Sequence, residues 1–427
     1  MKKQVPFGRE TLWVDIPDNQ LVYYADMVEF NVTQSPDEMV ESALDHPYGT
    51  DRLENLVNAG QKVMIISDDI TRPTPKRLLI THILARLEKA GILKSDITIC
   101  LAPGTHRKMS EQEMLDTYGR EMLDEYSFLN LNYKDVDHLV DFGKTPSGIE
   151  IEIYREVVES DFVIGIGNIV PHVSAGWGGG AKIIQPGVCG EKTTEATHRI
   201  AALDQNVMET CGNADNQCRH EMEEIAARAG LKFIVNTVMN SKEELAGVFC
   251  GDFIAAHRAG IEKAKLVQCP AIPCRADIVI ASANPCNIDF WQGDKPFVFA
   301  QYGIKDNGTL IFVISGEEGV CGNAPEHEYV VRKYALLGEK RVREDVDNGT
   351  IKDVIAIDNA IHLEQVRDRG VNVLLVSKGF TEKDAKDLGF EKVPSIEVAL
   401  DRAYARQGRN ATVGIIPYCG ETLVEVR

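Results

Sequence analysis

One short segment of the chain combines a proton carrier, a primary amine and unusual backbone freedom. The stretch HVSAGWGGGAKIIQPGV (172–188) contains His172, Lys182 and five glycines, four of them clustered at Gly176, Gly178, Gly179 and Gly180. Glycine-rich loops bring backbone N–H groups against phosphates. Lys182 is followed by an apolar pair, and burial lowers the pKa of an amine and makes it a nucleophile toward a carbonyl or thioacyl carbon. The alternative is an ordinary lysine that reaches solvent along an apolar surface.

These glycines do not form either of the common nucleotide-binding motifs. Ala181 stands where a P-loop requires its last glycine, and Ile183 stands where it requires a serine or threonine for Mg²⁺. No single G-x-G-x-x-G run opens onto a clear helix. The pattern therefore argues against ATP or GTP hydrolysis and leaves a loop that can approach a phosphate closely.

Two more segments with chemically useful residues directly follow apolar, strand-like runs. SDDITRPTP follows KVMIIS (62–67) and offers Asp69 and Arg72, and LAPGTHRKMS follows DITIC and offers His106. An arginine binds a carboxylate through two parallel hydrogen bonds, and a histidine transfers protons near neutral pH. Ligands of α/β proteins bind at the carboxyl ends of strands. The alternatives are a helix-capping aspartate beside a solvated arginine and an ordinary loop histidine.

Two later segments add a possible metal ligand and a possible binding wall. His198 lies sixteen residues after Lys182, and its imidazole suits Ni, Zn, Cu or Fe, although one histidine does not define a metal. Trp291, Gln292 and Lys295 follow the run DIVIASAN at helical spacing and offer an apolar wall, an amide and a cation. The alternative is a buried tryptophan beside a surface lysine. No role is assigned to the remaining histidines, which are His46, His82, His138, His220, His257, His327 and His362.

The elements that must position these residues alternate along the chain. Apolar β-rich runs such as DFVIGIG (161–167) alternate with helical patterns such as PKRLLITHILARLEKAG (75–91), which predicts a layered α/β fold. Two prolines interrupt the periodicity near CPAIPCRAD (269–277). We therefore predict an N-terminal α/β catalytic and cofactor-tethering domain over 1–272 and a C-terminal Rossmann-like domain over 273–427, whose last residues can pack back on the first domain.

Composition excludes several classes of protein. The chain of 427 residues carries a formal net charge of −19, which argues against nucleic acid as a partner. No apolar run approaches the roughly 20 residues of a membrane span, and the N-terminus turns polar before a secretory signal could form. Ten cysteines lie scattered in apolar runs without a CxxC pair, which predicts reduced, mostly buried thiols. A cytoplasmic protein without membrane or nucleic-acid partners is expected.

Taken together, the motifs resemble those of the nickel-dependent lactate racemase family of 2-hydroxyacid racemases and epimerases. SDDITRPTP, GTHRK, PHVSAGWGGGAKIIQPGV, EATH and DFWQGDK occur here in the order and at the separations typical of that family. The resemblance implies a two-domain isomerase with its site in the interdomain cleft. It also implies a nickel-pincer nucleotide cofactor, nickel pyridinium-3-thioamide-5-thiocarboxylic acid mononucleotide, whose assembly requires cofactor-maturation proteins. The oligomeric state is not defined by these motifs, and an oligomer is possible.

The resemblance also implies a role for each residue. Lys182 would carry the cofactor covalently, and His198 would bind the nickel beside two sulfurs and a carbon of the cofactor. His106 and His172 would act as acid and base, while the hydrogen on C2 of the substrate leaves as hydride to the cofactor and returns through a 2-oxo acid intermediate. The remaining expected residues are Arg72 and Lys295 for the substrate carboxylate, Gln292 as an assistant, and Asp69 with Gly176, Gly178, Gly179 and Gly180 for the cofactor.

Three positions depart from the pattern of lactate-specific members. Ser174 stands where we expect an aromatic side chain, and Ala181 and Trp291 are also atypical. A smaller and more polar wall suggests a substrate larger or more hydroxylated than lactate, for example a sugar acid. Ser174 and Trp291 are therefore expected to contact the substrate.

Two other functions remain open from the residues alone. Asp69, His106, His172 and His198 could bind zinc and activate water in a hydrolase, although no HxH or HExxH spacing supports this. A non-catalytic nucleotide-binding or sensor protein could use the same glycine-rich loop.

Overall fold

The structure is a computed structural model that describes residues 1–30, 32–322 and 324–427. Within these residues the strands are, in chain order, β1 (Lys2–Phe7), β2 (Glu10–Asp15), β3 (Leu21–Tyr24), β4 (Val63–Asp68), β5 (Ile97–Ala102), β6 (Ser127–Leu129), β7 (Leu139–Lys144), β8 (Glu150–Tyr154), β9 (Phe162–Asn168), β10 (Pro171–His172), β11 (Gly176–Trp177), β12 (Leu231–Met239), β13 (Leu245–Gly251), β14 (Ala271–Ile272), β15 (Ala276–Ser282), β16 (Ile304–Val313), β17 (Asn372–Val376), β18 (Glu391–Val393), β19 (Val413–Ile416) and β20 (Glu425–Val426).

The α-helices of the same residues are α1 (Pro36–Asp45), α2 (Leu53–Leu56), α3 (Lys76–Lys89), α4 (Glu111–Tyr118), α5 (Arg120–Glu125), α6 (Arg155–Val158), α7 (Glu191–Arg199), α8 (Val207–Thr210), α9 (Gln217–Arg228), α10 (Ala255–Gln268), α11 (Phe290–Phe299), α12 (Pro325–Tyr334), α13 (Glu339–Asp347), α14 (Ile357–Asp368), α15 (Glu382–Asp387) and α16 (Ile396–Gln407). Two other turns matter for the site. Gly180–Ile183 forms a 3₁₀ turn, and Ile200–Asp204 extends α7 as a π-helix.

The first large sheet has the strand order β13-β12-β9-β4-β5-β6. Its strands are parallel except for β13, which pairs antiparallel with β12. The chain adds strands on one side of β4 up to β6 and then crosses to the other side with β9. The order therefore reverses between β4 and β9, and such a reversal opens a crevice at the carboxyl ends of the strands.

The second large sheet has the order β18-β17-β16-β15-β19-β3 and is parallel throughout. Its order reverses at β15, between β16 and β19, so the fold contains two doubly wound sheets. The predicted α/β class, with a Rossmann-like C-terminal sheet, is confirmed.

The N-terminal segment packs with the second sheet. β3 pairs with β19, and the hairpin of β1 and β2 buries Val5 and Val14 against Ile278 and Ile415. At the other end of the chain, β20 pairs with β14. The division of the chain after residue 272 stays a prediction, and these contacts place the first 24 residues beside the later half.

The local patterns in the sequence are formed as expected in several places. The capping box of Ser110 and Glu113 begins α4, and the predicted helix over 75–91 is α3. All ten cysteines are free, and eight of them are buried. Across the residues described, no helix is both long enough and apolar enough to cross a membrane.

Candidate active site

The candidate site is a cavity of about 190 Å³ between the two large sheets. The first sheet contributes the segments that follow β4, β5 and β9, and the second contributes α11 and α14. Residues that are distant in sequence meet here because parallel strands end at a shared edge. The cavity is lined by these predicted residues: Asp69, Arg72, His106, His172, Ser174, Gly178, Gly179, Lys182, His198, Trp291, Gln292 and Lys295.

Gly176 and Gly180 are not among the residues that line the cavity, and their contact with the cofactor stays a prediction. Both have positive φ angles, 72° and 60°. A Cβ on Gly176 would lie 1.8 Å from the backbone oxygen of Asn213, and one on Gly180 would lie 2.8 Å from the ring of His257. These two glycines therefore allow the loop to fold, whereas Gly178 and Gly179 face the cavity.

A buried arginine holds this loop in place. Arg219 of α9 donates hydrogen bonds to the backbone oxygens of Ala175, Trp177 and Gly179. The side chain is fully buried. Burial lowers the pKa of Arg219 to about 10, so the guanidinium remains charged and places a positive charge directly behind the loop.

Lys182 lies in the 3₁₀ turn after the glycines, and its amine makes no ion pair with the described residues. Burial lowers the pKa of Lys182 to about 7, and the positive charges of Arg72, Arg219 and Lys295 act in the same direction. A large part of the amine is therefore neutral near pH 7. A neutral primary amine is the form that attacks an electrophilic carbon.

His106 is held between the two halves of the chain. Its Nδ1 lies 2.8 Å from Oδ2 of Asp69, and the amide nitrogen of Gln292 lies 3.2 Å from Nε2. Thr71 donates to the other oxygen of Asp69. Burial alone would raise the pKa of Asp69, but His106 and Arg72 lower it below its usual value. The ionised carboxylate therefore fixes the proton of the neutral ring on Nδ1 and leaves Nε2 as an acceptor.

His172 has the opposite arrangement. The backbone N–H groups of Ser174 and Ala175 donate to Nδ1 at 3.1 and 3.4 Å, so the neutral ring carries its proton on Nε2. Burial lowers the pKa of His172 well below its usual value, and the neighbouring charges of Lys182 and Lys295 add to this effect. The two rings of the cavity are therefore arranged in opposite ways, with Nε2 of His106 facing a donor and Nε2 of His172 carrying the proton.

The carboxylates around the cavity already have cationic or histidine neighbours. Asp68 lies 3.3 Å from the amine of Lys76, Asp294 lies 2.6 Å from His362, and Asp358 lies 3.2 Å from Nδ1 of His198. Asp69 is paired with His106. None of these four pairs involves the cavity-lining cations.

Three basic side chains in the cavity therefore lack a carboxylate partner within the described residues. Arg72 donates only to Thr71, and Lys182 and Lys295 form no ion pair there. Because an unpaired charge is costly in a partly buried site, this arrangement favours anionic ligands. Two buried amide groups of the cavity, Nδ2 of Asn168 and Nδ2 of Asn359, also lack a hydrogen-bond acceptor.

His198 lies in the last turn of α7 and faces α14 of the second half. Oδ2 of Asp358 is 3.2 Å from Nδ1 of His198 and accepts a hydrogen bond from Ser174 at 3.4 Å. Nδ1 of His198 makes no hydrogen bond to the described residues. In the part of the chain that is described, no three His, Cys, Asp or Glu side chains converge as a metal site.

Trp291 forms one wall of the cavity and is supported from behind. Its ring stacks on His327 of α12 with centroids 4.5 Å apart and an angle of 15°. His327 is in turn hydrogen-bonded to Asp353. Sequence reasoning gave His327 no role, because the contact joins residues that belong to two different helices.

The sequence pattern also missed the contribution of α14 and α9. Asp358, Asn359 and His362 of α14 form a polar cluster beside the cavity, and Arg219 supports the loop from α9. His362 follows Asp358 by four residues and Asn359 by three, and these are the spacings at which helical side chains lie on one face.

These features define a two-domain α/β enzyme whose site combines acid–base histidines with unpaired cations in the cleft between the sheets. Residues 7–210 match the model of the lactate racemase N-terminal domain, and residues 272–424 match that of the C-terminal domain. The chain belongs to the lactate racemase family, and the prediction of an isomerase is confirmed.

Individual relatives agree over the whole length. The lactate racemases of Lactiplantibacillus plantarum and Thermoanaerobacterium thermosaccharolyticum are each 29% identical to this chain, and each alignment covers 97% of both proteins. The lactate racemase apoprotein structure from T. thermosaccharolyticum has a TM-score of 0.88 at 25% identity and covers 100% of both chains. A Thermotoga maritima structure, at 18% identity with a TM-score of 0.72, covers 92% of this chain and 98% of its own and shares the fold.

Proposed function

We propose that this chain racemises or C2-epimerises a 2-hydroxy acid with a nickel-pincer nucleotide attached to Lys182. The observation that carries the proposal is the convergence of two oppositely arranged histidines and three cations without carboxylate partners in one cavity. One cation would carry the cofactor, and the other two would bind the substrate carboxylate. Membership in a family whose named relatives are lactate racemases supports the reaction type.

The residues present fit such a cofactor. Gly178 and Gly179 leave room for a phosphate on the loop, and Arg219 adds positive charge behind it. Asn168 offers a buried amide donor without a partner. Lys182 has the lowered pKa that covalent attachment requires, and His198 would bind the nickel.

When bound, the cofactor supplies a reversible acceptor for the hydrogen on C2. The residues of the chain bind the substrate carboxylate and transfer the proton of the substrate hydroxyl group. Arg72 and Lys295 would hold the carboxylate between the two halves, because their charges are otherwise unpaired. The C2–H bond of a hydroxy acid is a very weak acid, so the residues must assist oxidation to the 2-oxo acid rather than simple deprotonation.

Proton transfer follows from the two ring arrangements. His106 takes the hydroxyl proton of one enantiomer at Nε2, and Asp69 stabilises the imidazolium that forms. His172 presents its Nε2 proton to the substrate oxygen when the opposite face of the carbonyl is used. Gln292 keeps the ring of His106 in position through its amide. The two histidines would exchange roles for the other enantiomer.

The walls of the cavity favour a substrate that is larger or more polar than lactate, such as a sugar acid. Ser174 is only 8% exposed and offers a hydroxyl, and Trp291 offers a broad aromatic face. A site that presents hydrogen-bonding groups discriminates strongly against ligands that cannot satisfy them.

The first test is peptide mass and metal analysis of protein made in a host that assembles the cofactor and loads a known family member. We expect a nucleotide-sized adduct on the peptide with Lys182, about one nickel per chain and racemisation in a chiral assay of 2-hydroxy acids. Lys182→Met should lose the adduct, whereas Lys192→Met, which changes an exposed lysine ten residues away, should keep it. An unmodified Lys182 with one zinc per chain would instead support the hydrolase alternative.

A further inference from the structure

A second cleft, of about 700 Å³, opens directly from the cavity. The two spaces share Thr71, Arg72, Gln292 and Lys295 as lining residues. The proposed carboxylate-binding cations therefore stand at the boundary between the inner cavity and the outer cleft. A substrate anchored by Arg72 and Lys295 has the outer cleft available for the rest of its chain.

The outer cleft lies between the two halves of the molecule. One wall is the segment 70–78 before and within α3, and the other includes Pro285 and Ile288 before α11. Ile70 and Ile288 are 41% and 44% exposed. The cleft is thus apolar at its rim and is accessible to a ligand that enters from solvent.

A buried carboxylate faces this cleft without a partner. Glu421 is only 7% exposed, and within the described residues its carboxylate makes no hydrogen bond or ion pair. Burial raises the pKa of Glu421, and the nearby charges of Lys295 and Arg72 oppose this rise. Its backbone N–H donates to the oxygen of Tyr418, so the loop and not the side chain fixes its position.

The oxygens of Glu421 keep access to the open cleft, so a ligand hydroxyl can replace water as their hydrogen-bond donor, whereas an apolar ligand group displaces the water and supplies no donor. Glu243 also lines the cleft, beside the basic side chains of Arg72, Lys76, Arg77 and Lys295. A hydroxyl group can donate to either carboxyl group. A ligand carboxylate placed directly against Glu421 would be repelled by it, and a methyl group would leave Glu421 without a partner.

We propose that the outer cleft is the subsite for the distal end of the substrate and that Glu421 selects a hydroxyl group there. This inference rests on the proposed function, because it concerns the same reaction. The substrate class is then a 2-hydroxy acid whose chain extends beyond C3 and carries hydroxyl groups, with dicarboxylic acids disfavoured.

The test compares 2-hydroxy acids that differ only at the chain end. Acids of four and six carbons that end in a methyl, a hydroxymethyl or a second carboxylate group are assayed for inversion at C2 with cofactor-loaded protein. The readout is the ratio of kcat/KM between chain ends at equal length. These ratios cancel differences in cofactor loading between preparations.

For wild-type protein, the hydroxymethyl acids should have the highest kcat/KM. Glu421→Ala should lower the hydroxymethyl-to-methyl ratio about threefold to tenfold, as expected for one lost hydrogen bond. Glu421→Gln keeps a hydrogen-bonding group without the charge and should raise the carboxylate-to-methyl ratio. Glu425→Gln, at an exposed glutamate of the same C-terminal segment, should leave all ratios as in wild type.

Equal ratios in wild type and in both folded Glu421 variants would overturn the subsite, even if every protein inverts C2. If loaded wild-type protein inverts none of the acids, the proposed function itself fails. Glu421→Gln keeps the shape of the side chain, so it decides the question if Glu421→Ala does not fold.

Discussion

The lowered pKa of Lys182 predicts that the stability of the cofactor-free protein depends on pH in a specific way. In the folded chain the amine titrates near pH 7, because it is buried among positive charges. In the unfolded chain an ordinary lysine titrates near 10.4. Between these values the unfolded chain binds more protons than the folded chain, so the free energy of unfolding must rise with pH.

The size of the effect follows from the two pKa values. Proton linkage gives a slope approaching about 1.4 kcal/mol per pH unit between them. From pH 7.0 to 8.5, a lysine with a folded pKa of about 7 should add roughly 1.6 kcal/mol to the free energy of unfolding. Above this range the buried cysteines, whose pKa values are raised by burial, begin to act in the opposite direction.

The measurement is urea unfolding of cofactor-free wild type, Lys182→Met and Lys192→Met at several pH values from 7.0 to 8.5. Methionine matches the shape of lysine and carries no charge. Wild type should gain about 1.6 kcal/mol relative to Lys182→Met across this range. Lys192→Met, at a lysine whose side chain is 68% exposed, should follow wild type. A difference between wild type and Lys182→Met that stays constant with pH would refute the reasoning.

Two other substitutions test the support of the glycine-rich loop. Gly176→Ala should unfold at a distinctly lower temperature and lose more than about 2 kcal/mol, because its φ of 72° disfavours a side chain and its Cβ would overlap the backbone oxygen of Asn213. The same change at the solvent-facing Gly143, with a φ of 84° and open space around its Cβ, should cost less in the same melting experiment. Arg219→Met should destabilise the chain by about 3 kcal/mol in chemical unfolding, because three buried loop carbonyls lose their donors. Intact stability in Arg219→Met would contradict its role in holding the loop.

Much of the first sheet and of its site could be predicted from the sequence. The runs that form β4, β5 and β9 are continuously apolar, and each is followed by residues that now line the cavity. This worked because parallel strands buried on both faces have a strong apolar signal and end at one edge. Placing these residues together needed only the rule that neighbouring parallel strands end at the same edge, and no knowledge of contacts between distant parts of the chain.

The contribution of α14 could not be predicted in the same way. Asp358 and His362 are buried together with the apolar residues of this helix, because the helix is covered on several sides. A helix that is buried all round has no polar stripe, so its periodicity does not show which face meets the site. The contact of Asp358 with His198 joins positions 160 residues apart and depends on how the two sheets pack.

The sheet that the N-terminal strands join also could not be predicted from the sequence. β3 pairs with β19, although almost 390 residues separate them in the chain. Sequence order assigned this segment to the first domain, since local patterns carry no information about which sheet a terminal strand joins. β16 also begins at Ile304, ahead of the apolar run LIFVI (310–314), because the polar residues 305–307 interrupt the apolar pattern of the strand.

Because the cavity lies between two sheets, the residues proposed to hold the cofactor and some of those proposed to hold the substrate belong to different sheets. Lys182 and His198 belong to the segments of the first sheet, whereas Gln292 and Lys295 stand on α11 of the second. A group joined to Lys182 by a covalent bond would remain with the first sheet even if the second sheet moved away from it. Under the proposed function, the acid would be held by Arg72 on one side and by Lys295 on the other. Widening the gap between these two side chains would then release the product, while the cofactor would stay on Lys182 for the next turnover.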